Sequence, residues 1–366
     1  MKYIHEQPGW PKFRWNQGKL AARLAEVRHR QGRLVGRMEA LGFPFRTEAT
    51  LQTLTLDVLK SSEIEGEKLN PEQVRSSIAR RLGLDIGSAV PADRHTEGVV
   101  EMMLDATQNF AKPLSTERLF GWHAAMFPTG HSGMHKIIVG AWRDDSKGPM
   151  QIVSGPIGRE KVHFESPKAE RLDGEMRSFI DWINAKDQLD FVLRAALAHL
   201  WFVTIHPFDD GSGRIARAIA DWVLARSENS PQRFYSMSAQ IRQERNDYYS
   251  ILERTQKGTL DITEWMAWFL DCLDRAISGT EKTLADVFRK ARFWEIIAAK
   301  EINDRQRLML TKLLHGFEGK LTSSKWAKLT KSSQDTAYRD IESLIEQGLL
   351  AKNPAGGRST SYSLVE

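Results

Sequence analysis

The sequence predicts a mainly α-helical protein with a β-hairpin flap in its middle and a C-terminal helix-turn-helix closed by a second hairpin. Three observations carry this prediction. Apolar residues recur every three to four positions through most of the first 285 residues, the period of amphipathic helices. That pattern breaks once, between Gly130 and Pro167, in a stretch rich in Gly, Pro and Ser with short β-type runs at Met150–Val153 and Val162–Phe164. From about Asn303 the texture changes again, to two short helical runs and two β segments about a Gly-Gly turn, the pattern of a winged helix.

The elements follow in order. Asn16 caps a helix to about Leu41, with Leu20, Leu24, Val27 and Val35 on its buried side, and "GFPF" breaks it. A second helix from about Thr47 to Ser62 buries Leu51, Leu54 and Val58. Asn70-Pro71 then reads as the cap and first position of a third. Another helix lies within "PADRHTEGVVEMMLDATQNF", and Ser115 or Thr116 opens the next, through Met126. After the hairpin come "KAERLDGEMRSFIDWINA" and "DFVLRAALAHLWFVTIH"; the second is apolar on all sides and reads as the central core helix. In the last segment Ala337, Ile341, Leu344 and Ile345 share one face of the longer helix.

Bulk properties bound the partners. The 366 residues have room for two or three domains, and 41% hydrophobic with 27% charged residues is ordinary for a globular chain. A net charge of +5 permits an anionic partner without demanding one. No apolar h-region opens the chain and no run approaches the ~20 residues of a membrane span, so no membrane partner is expected. A single cysteine, Cys272, leaves no internal disulfide and fits a reducing cytoplasm.

One stretch concentrates chemistry: "HPFDDGSGRIAR", His206 to Arg217. Gly211 and Gly213 allow close backbone approach, and at a helix start they aim several N–H groups at a phosphate-sized anion. Arg214 and Arg217 lie three apart and so face one side of that helix, as bidentate phosphate donors. Asp210 has the chemistry to hold Mg²⁺, which favours a carboxylate plus phosphate oxygens. His206 titrates in a range suited to taking a proton from a hydroxyl. Together these parts describe a site for nucleotidyl or phosphoryl transfer. Other phosphate motifs fail: "GSGRIA" lacks the third glycine of a dinucleotide fingerprint, and "GFEGKLTSS" has Leu where a P-loop needs Ser or Thr. His199, two helical turns before His206, is too far to share a metal and reads as a packed core histidine.

The stretch closely resembles the signature of the Fic family, His-x-Phe-x-Asp/Glu-Gly-Asn-Gly-Arg-x-x-Arg, with Ser212 in place of the asparagine. The resemblance extends over roughly residues 1–285, since "HEQPGWPKFRW" is similar to a domain that precedes Fic in a bacterial subgroup. It implies transfer of AMP from ATP to a Ser, Thr or Tyr hydroxyl of a protein target or of the protein itself. His206 would then be the general base, Asp210 the Mg²⁺ ligand, Gly211, Ser212 and Gly213 the phosphate cradle, and Arg214 the holder of the leaving pyrophosphate. Phe208 would anchor the loop. Val153, Ser154 and Gly155 belong to the segment that resembles the family's flap, and Tyr248, Tyr249 and Gln256 sit where relatives contact adenosine. "SSEIEG" resembles the family's inhibitory motif, with Ser61, Glu65 and Gly66 at its fixed positions and Arg217 as the expected partner of Glu65.

The expected organisation is an N-terminal helical regulatory region over 1–90, a Fic catalytic domain over 91–285 and a winged helix over 290–366. Three functions stay open: an autoinhibited AMP transferase, a hydrolase removing AMP through the same site, and a DNA-binding regulator. For DNA, Lys325, Lys328, Lys331, Arg339 and Arg358 could meet phosphate. Against it stand Asp335, Asp340, Glu342 and Glu346 on the longer, recognition helix. A homodimer is compatible with the sequence and not demanded by it.

Overall fold

Asn16, Asn70, Asp93, Ser115 and Asp190 each place a side-chain oxygen on a first-turn backbone N–H, and these caps set where their helices begin. The computed structural model describes residues 2–87, 89–156, 159–186, 188–314, 316–354 and 360–365. The chain divides into two compact units, Met1–Leu284 and Ala285–Glu366.

The first unit contains α1 (Gln17–Glu39), α2 (Phe43–Ile64), α3 (Pro71–Arg81), α4 (Arg94–Gln108) and α5 (Thr116–Met126). Two antiparallel pairs follow, β1 (His131–Ser132) with β2 (His135–Lys136), then β3 (Gln151–Ser154) with β4 (Lys161–Glu165). The unit ends with α6 (Leu172–Asn184), α7 (Phe191–Ile205), α8 (Ser212–Glu228), α9 (Met237–Gln243), α10 (Arg245–Gln256) and α11 (Thr263–Thr283).

α7 is buried on nearly every residue, as its uniform apolarity predicts. It packs along α8 and is flanked by α6 and α11. Two expectations need correction. "GFPF" does not merely end α1: Gly42 is the N-cap of α2 and Pro44 sits in its first turn, where a missing N–H costs no hydrogen bond. The buried stripe of α1 runs through Leu20, Val27, Leu34 and Met38, and Leu24 and Val35 lie at its margin, because successive two-turn steps from Leu20 arrive at Val27 and Leu34.

The flap hairpin β3–β4 shifts register between Ile152 and Val153. Its base is fastened by the chain's own N-terminus. Phe164 is buried with its ring 5.1 Å from Tyr3 and 5.7 Å from His5, and His5 Nε2 donates to the Glu165 carbonyl at 2.8 Å.

The second unit contains α12 (Ala285–Ala298), α13 (Asp304–Leu314), α14 (Ser323–Thr330), α15 (Gln334–Glu346), and the antiparallel pair β5 (Leu350–Lys352) and β6 (Tyr362–Leu364). Met309, Leu310, Trp326, Ala337, Ile341 and Leu344 form its core. Asp340, one of the acids weighed against DNA, is buried and takes two bonds from Arg305 at 2.8 and 3.0 Å. Its charge is therefore neutralised inside the unit. Arg358 lies outside the described residues. Among those described, no helix is long and apolar enough to cross a membrane.

Candidate active site

The loop between α7 and α8 is held from several sides. α7 ends because His206 turns left-handed (φ 49°, ψ 62°), its N–H still donating to the Phe202 carbonyl at 3.0 Å. Buried Arg143 ties this turn down: its Nε donates to the His206 carbonyl at 2.8 Å and its backbone N–H to Pro207 O at 2.9 Å. Its remaining guanidinium nitrogens reach Pro167 O and Asp145. Phe208 is fully buried and stacks on His123 at 4.2 Å with the rings 7° apart. Asp209 accepts the Ile138 N–H at 2.9 Å. Gly211 is left-handed (φ 83°), and a Cβ there would lie 2.9 Å from a Phe127 ring carbon, so both conformation and space demand glycine.

His206 Nδ1 faces the Val203 carbonyl at 3.4 Å, which requires the proton on Nδ1 and leaves Nε2 as the acceptor. Burial, reinforced by Arg143, lowers its pKa to about 4 against the opposing pull of Val203, Glu65 and Asp210. The ring is therefore neutral at physiological pH, the state a general base needs. Because Arg143 fixes this turn through a fork of donors, Arg143→Lys is expected to lower the rate of any reaction using His206 roughly 10-fold or more while nucleotide affinity holds. Paired binding and turnover measurements check this.

His206 opens on a cavity of about 640 Å³. Val153 and Ser154 of the flap form one wall, Tyr248 and Gln256 of α10 another, and the Asp210–Gly213 turn the floor. Gly155 is not among the lining residues. Tyr248 bonds His199 Nε2 at 2.9 Å, and Gln256 donates to Thr204 Oγ1 at 3.2 Å. His199 is fully buried, with its pKa lowered to about 3 by burial and then Arg217, and it belongs to the core behind the cavity. Ser212 is buried too, and its hydroxyl engages the Phe208 backbone N–H at 3.3 Å. That hydroxyl braces the loop, while the first-turn N–H groups of α8 supply the anion-seeking face.

The segment ending α2 closes over this floor. Arg217, 2% exposed, donates from Nε to Ser61 Oγ and from Nη2 to Ser61 O, both at 2.9 Å. Its Nη1 lies 2.8 Å from Glu65 Oε1. Burial alone would lower the Arg217 pKa, but Glu65 and the neighbouring tyrosines outweigh it and the pKa is raised. Tyr249 OH reaches Glu65 Oε2 at 3.4 Å. Gly66 turns the chain back with φ 86°. A Cβ on Gly213 would lie 2.4 Å from Glu65 Oε1, so the carboxylate rests directly on the glycine nest. Gly213→Ala is thus expected to displace Glu65 and break its pair with Arg217, yet weaken nucleotide binding about tenfold because the methyl fills the nest. Titration calorimetry with ATP would read this.

Asp210 lines both this cavity and a second one of about 720 Å³. Its carboxylate takes bonds from Ser132 Oγ and the Gly211 N–H, with Arg214 at 3.5 Å. Among the described residues no three His, Cys, Asp or Glu side chains gather into a metal cage. Asp210 shares the two cavities with Glu65, but Glu65 is engaged by Arg217, and the half-exposed Asp210 carboxylate suits Mg²⁺ arriving with a polyphosphate, which supplies the remaining oxygens. Arg214 is not open: it pairs with Glu67 at 2.6 Å.

The structure thus gathers Ser61, Glu65, Gly66, Val153, Ser154, His206, Asp210 to Arg214, Arg217, Tyr248 and Gln256 around one site. Sequence reasoning missed Arg143, Ser132 and Glu67. None sits in a recognisable motif, and each reaches the site only through tertiary contact.

Residues 113–224 match the family model described as Fic/DOC family, and residues 3–84 match a domain of unknown function, DUF4172. A protein adenylyltransferase Fic from Nematostella vectensis is 36% identical over 117 residues, 31% of this chain and 25% of that protein. Protein adenylyltransferase fic-1 of Caenorhabditis elegans is 26% identical over 238 residues, 64% of this chain and 43% of the relative. The chain thus spans less than half the length of these curated relatives. Among solved structures, a Fic family protein from Desulfovibrio desulfuricans G20 aligns with a TM-score of 0.59 at 20% identity, covering 94% of this chain and 95% of that one. A Fic domain containing signaling protein from Bacteroides thetaiotaomicron aligns at 0.53 with 21% identity, covering 71% and 98%. These likenesses concern the fold.

Proposed function

We propose, from the premise that this chain carries a Fic/DOC family domain over residues 113–224, that it transfers AMP from ATP to a protein hydroxyl, its own included, and that Glu65 restrains it. One observation carries the reading. The Glu65–Arg217 ion pair, 2.8 Å long, is made by a carboxylate that lines the same cavity as His206 and Asp210.

In this reading adenosine lies against Tyr248 and Gln256, and the phosphates cross the Gly211–Gly213 turn, where N–H groups and the dipole of α8 favour negative charge. Mg²⁺, held by Asp210, would neutralise phosphate charge. The flap, through Val153 and Ser154, aligns the target backbone. His206 Nε2 takes the proton of the target hydroxyl as its oxygen bonds to the α-phosphorus, and pyrophosphate departs towards Arg214. Glu65 opposes this by occupying Arg217, a phosphate donor, and by covering Gly213. Residues 1–90 would form the regulatory part and 91–285 the catalytic part.

A second reading has an observation of its own. Glu65 shares the cavity with His206, so it could orient water towards an AMP ester and make removal the main activity. Incubation with labelled ATP, compared with incubation with a pre-AMPylated protein, separates the two. Label incorporation supports transfer; loss of AMP from the modified protein with no incorporation favours removal. Absence of both incorporation and AMP loss would end both readings.

The helix, turn, helix and hairpin order of Ala285–Glu366 supports a winged helix. A salt-dependent gel shift with the full chain tests whether it holds DNA.

A further inference from the structure

Two residues beyond Glu65, the carboxylate of Glu67 bridges two basic groups. Its Oε2 lies 2.6 Å from Arg214 Nη1 and its Oε1 2.8 Å from His95 Nε2. His95 Nδ1 meets the Met126 carbonyl at 2.9 Å and its Nε2 has the Glu67 carboxylate within ion-pair distance, an arrangement that favours the protonated ring. Its pKa is raised, first by the contact with Glu67. Arg214 is 3% exposed, and its Nε is a buried donor with no hydrogen-bond partner among the described residues. Glu67, His95 and Arg214 all line the cavity of about 720 Å³ that meets the nucleotide cavity at Asp210.

A carboxylate held between a guanidinium and an imidazolium occupies the place of two phosphate oxygens. The wall it covers pairs the buried Arg214 guanidinium with the part-exposed His95 ring, and without Glu67 both would face the second cavity with unsatisfied donors. We infer that His95, with Arg214, forms the binding site for the pyrophosphate end of the nucleotide, and that Glu67 fills this site in the resting protein as an internal anion. Glu65 and Glu67, either side of Gly66, thereby occupy Arg217 and Arg214 respectively. Relief of Glu65 alone clears only half of the phosphate track. The inference rests on the AMP-transfer reading for the direction in which pyrophosphate leaves, while the anion site itself requires only binding.

The test is titration calorimetry on the full chain with AMP, ADP and inorganic pyrophosphate, using wild type, Glu67→Ala and Glu67→Ala/His95→Gln. Glu67→Ala is expected to bind pyrophosphate and ADP about tenfold more tightly, with AMP unchanged, the gain of one freed charge-assisted contact. Adding His95→Gln should remove most of that gain and again leave AMP unchanged, a selectivity that general loosening of the fold would not produce. Pyrophosphate affinity that does not rise in Glu67→Ala, or a loss that strikes AMP equally in the double variant, overturns the inference. AMP transfer assayed on the same samples keeps the two readings apart. Tighter pyrophosphate binding without transfer retains the site and removes the reaction; transfer with unmoved binding does the reverse.

Discussion

Glu65→Gly is expected to raise AMP incorporation from ATP by about 10²-fold or more. The Glu65 carboxylate lies 2.8 Å from Arg217 and would lie 2.4 Å from a Cβ on Gly213, so it stands on the floor that the phosphates cross in the proposed AMP-transfer reading. A nucleotide entering beside it is forced aside, and a displacement of about 1 Å from in-line geometry can cost ~10²-fold. Glycine removes the carboxylate and leaves Arg217 with its two bonds to Ser61, so the guanidinium stays in position for phosphate. Arg217→Ala should not mimic the gain, since it removes the phosphate donor together with the restraint. It also deletes a buried charge on which Ser61 and Glu65 converge, so its thermal midpoint should fall as well. Radiolabel incorporation at saturating ATP, alongside a melting curve for each variant, reads these outcomes. If Glu65→Gly stays at the wild-type rate with its fold intact, restraint by this carboxylate is wrong.

His206→Ala, placed in the Glu65→Gly background where there is a rate to lose, should lower transfer by roughly 10²–10⁴-fold while ATP affinity changes little. The ring's Nδ1 is committed to Val203 and its Nε2 is the acceptor on the cavity side. With a pKa near 4, the free protein carries His206 in its neutral, basic form from about pH 5 upwards. The sign follows from the depression: lowering pH protonates the ring only as it falls through about 4, so base function is lost there and not near the ordinary histidine value of about 6.5. The same depression removes stability as pH falls from the ordinary value towards 4, because the unfolded chain binds that proton first. Loss of transfer together with ATP affinity would assign His206 to binding instead.

Much of this was legible in the chain because its signals are local. A cap and its helix lie within four residues, and the nest, the acid and both arginines lie within one twelve-residue stretch, so their meeting is decided by chain geometry alone. "SSEIEG" is equally compact. The pairing of Glu65 with Arg217 followed only from the family resemblance, since no local rule joins residues so far apart. What escaped was built by tertiary folding. Arg143 fixes a turn 63 residues away, and Glu67 reaches Arg214 across 147. Neither side chain carries a spacing that announces its partner. "GFPF" misled because Gly-Pro marks a helix start and a helix stop with the same residues; the apolar stripe that follows decides between them. The resemblance puts Ser212 in the phosphate cradle, but its burial turns the hydroxyl towards Phe208, and burial of a single small side chain leaves no trace in periodicity.

The most direct test of the central claim, that a Fic-type site transfers AMP under restraint from Glu65, is the intact mass of the full chain after incubation with ATP and Mg²⁺. Wild type, Glu65→Gly and Glu65→Gly/His206→Ala are compared side by side. The expected result is the mass of one or more AMP groups on Glu65→Gly, little on wild type and none on the double variant. Equal modification of all three proteins, or AMP on the double variant at the level of Glu65→Gly, would contradict it.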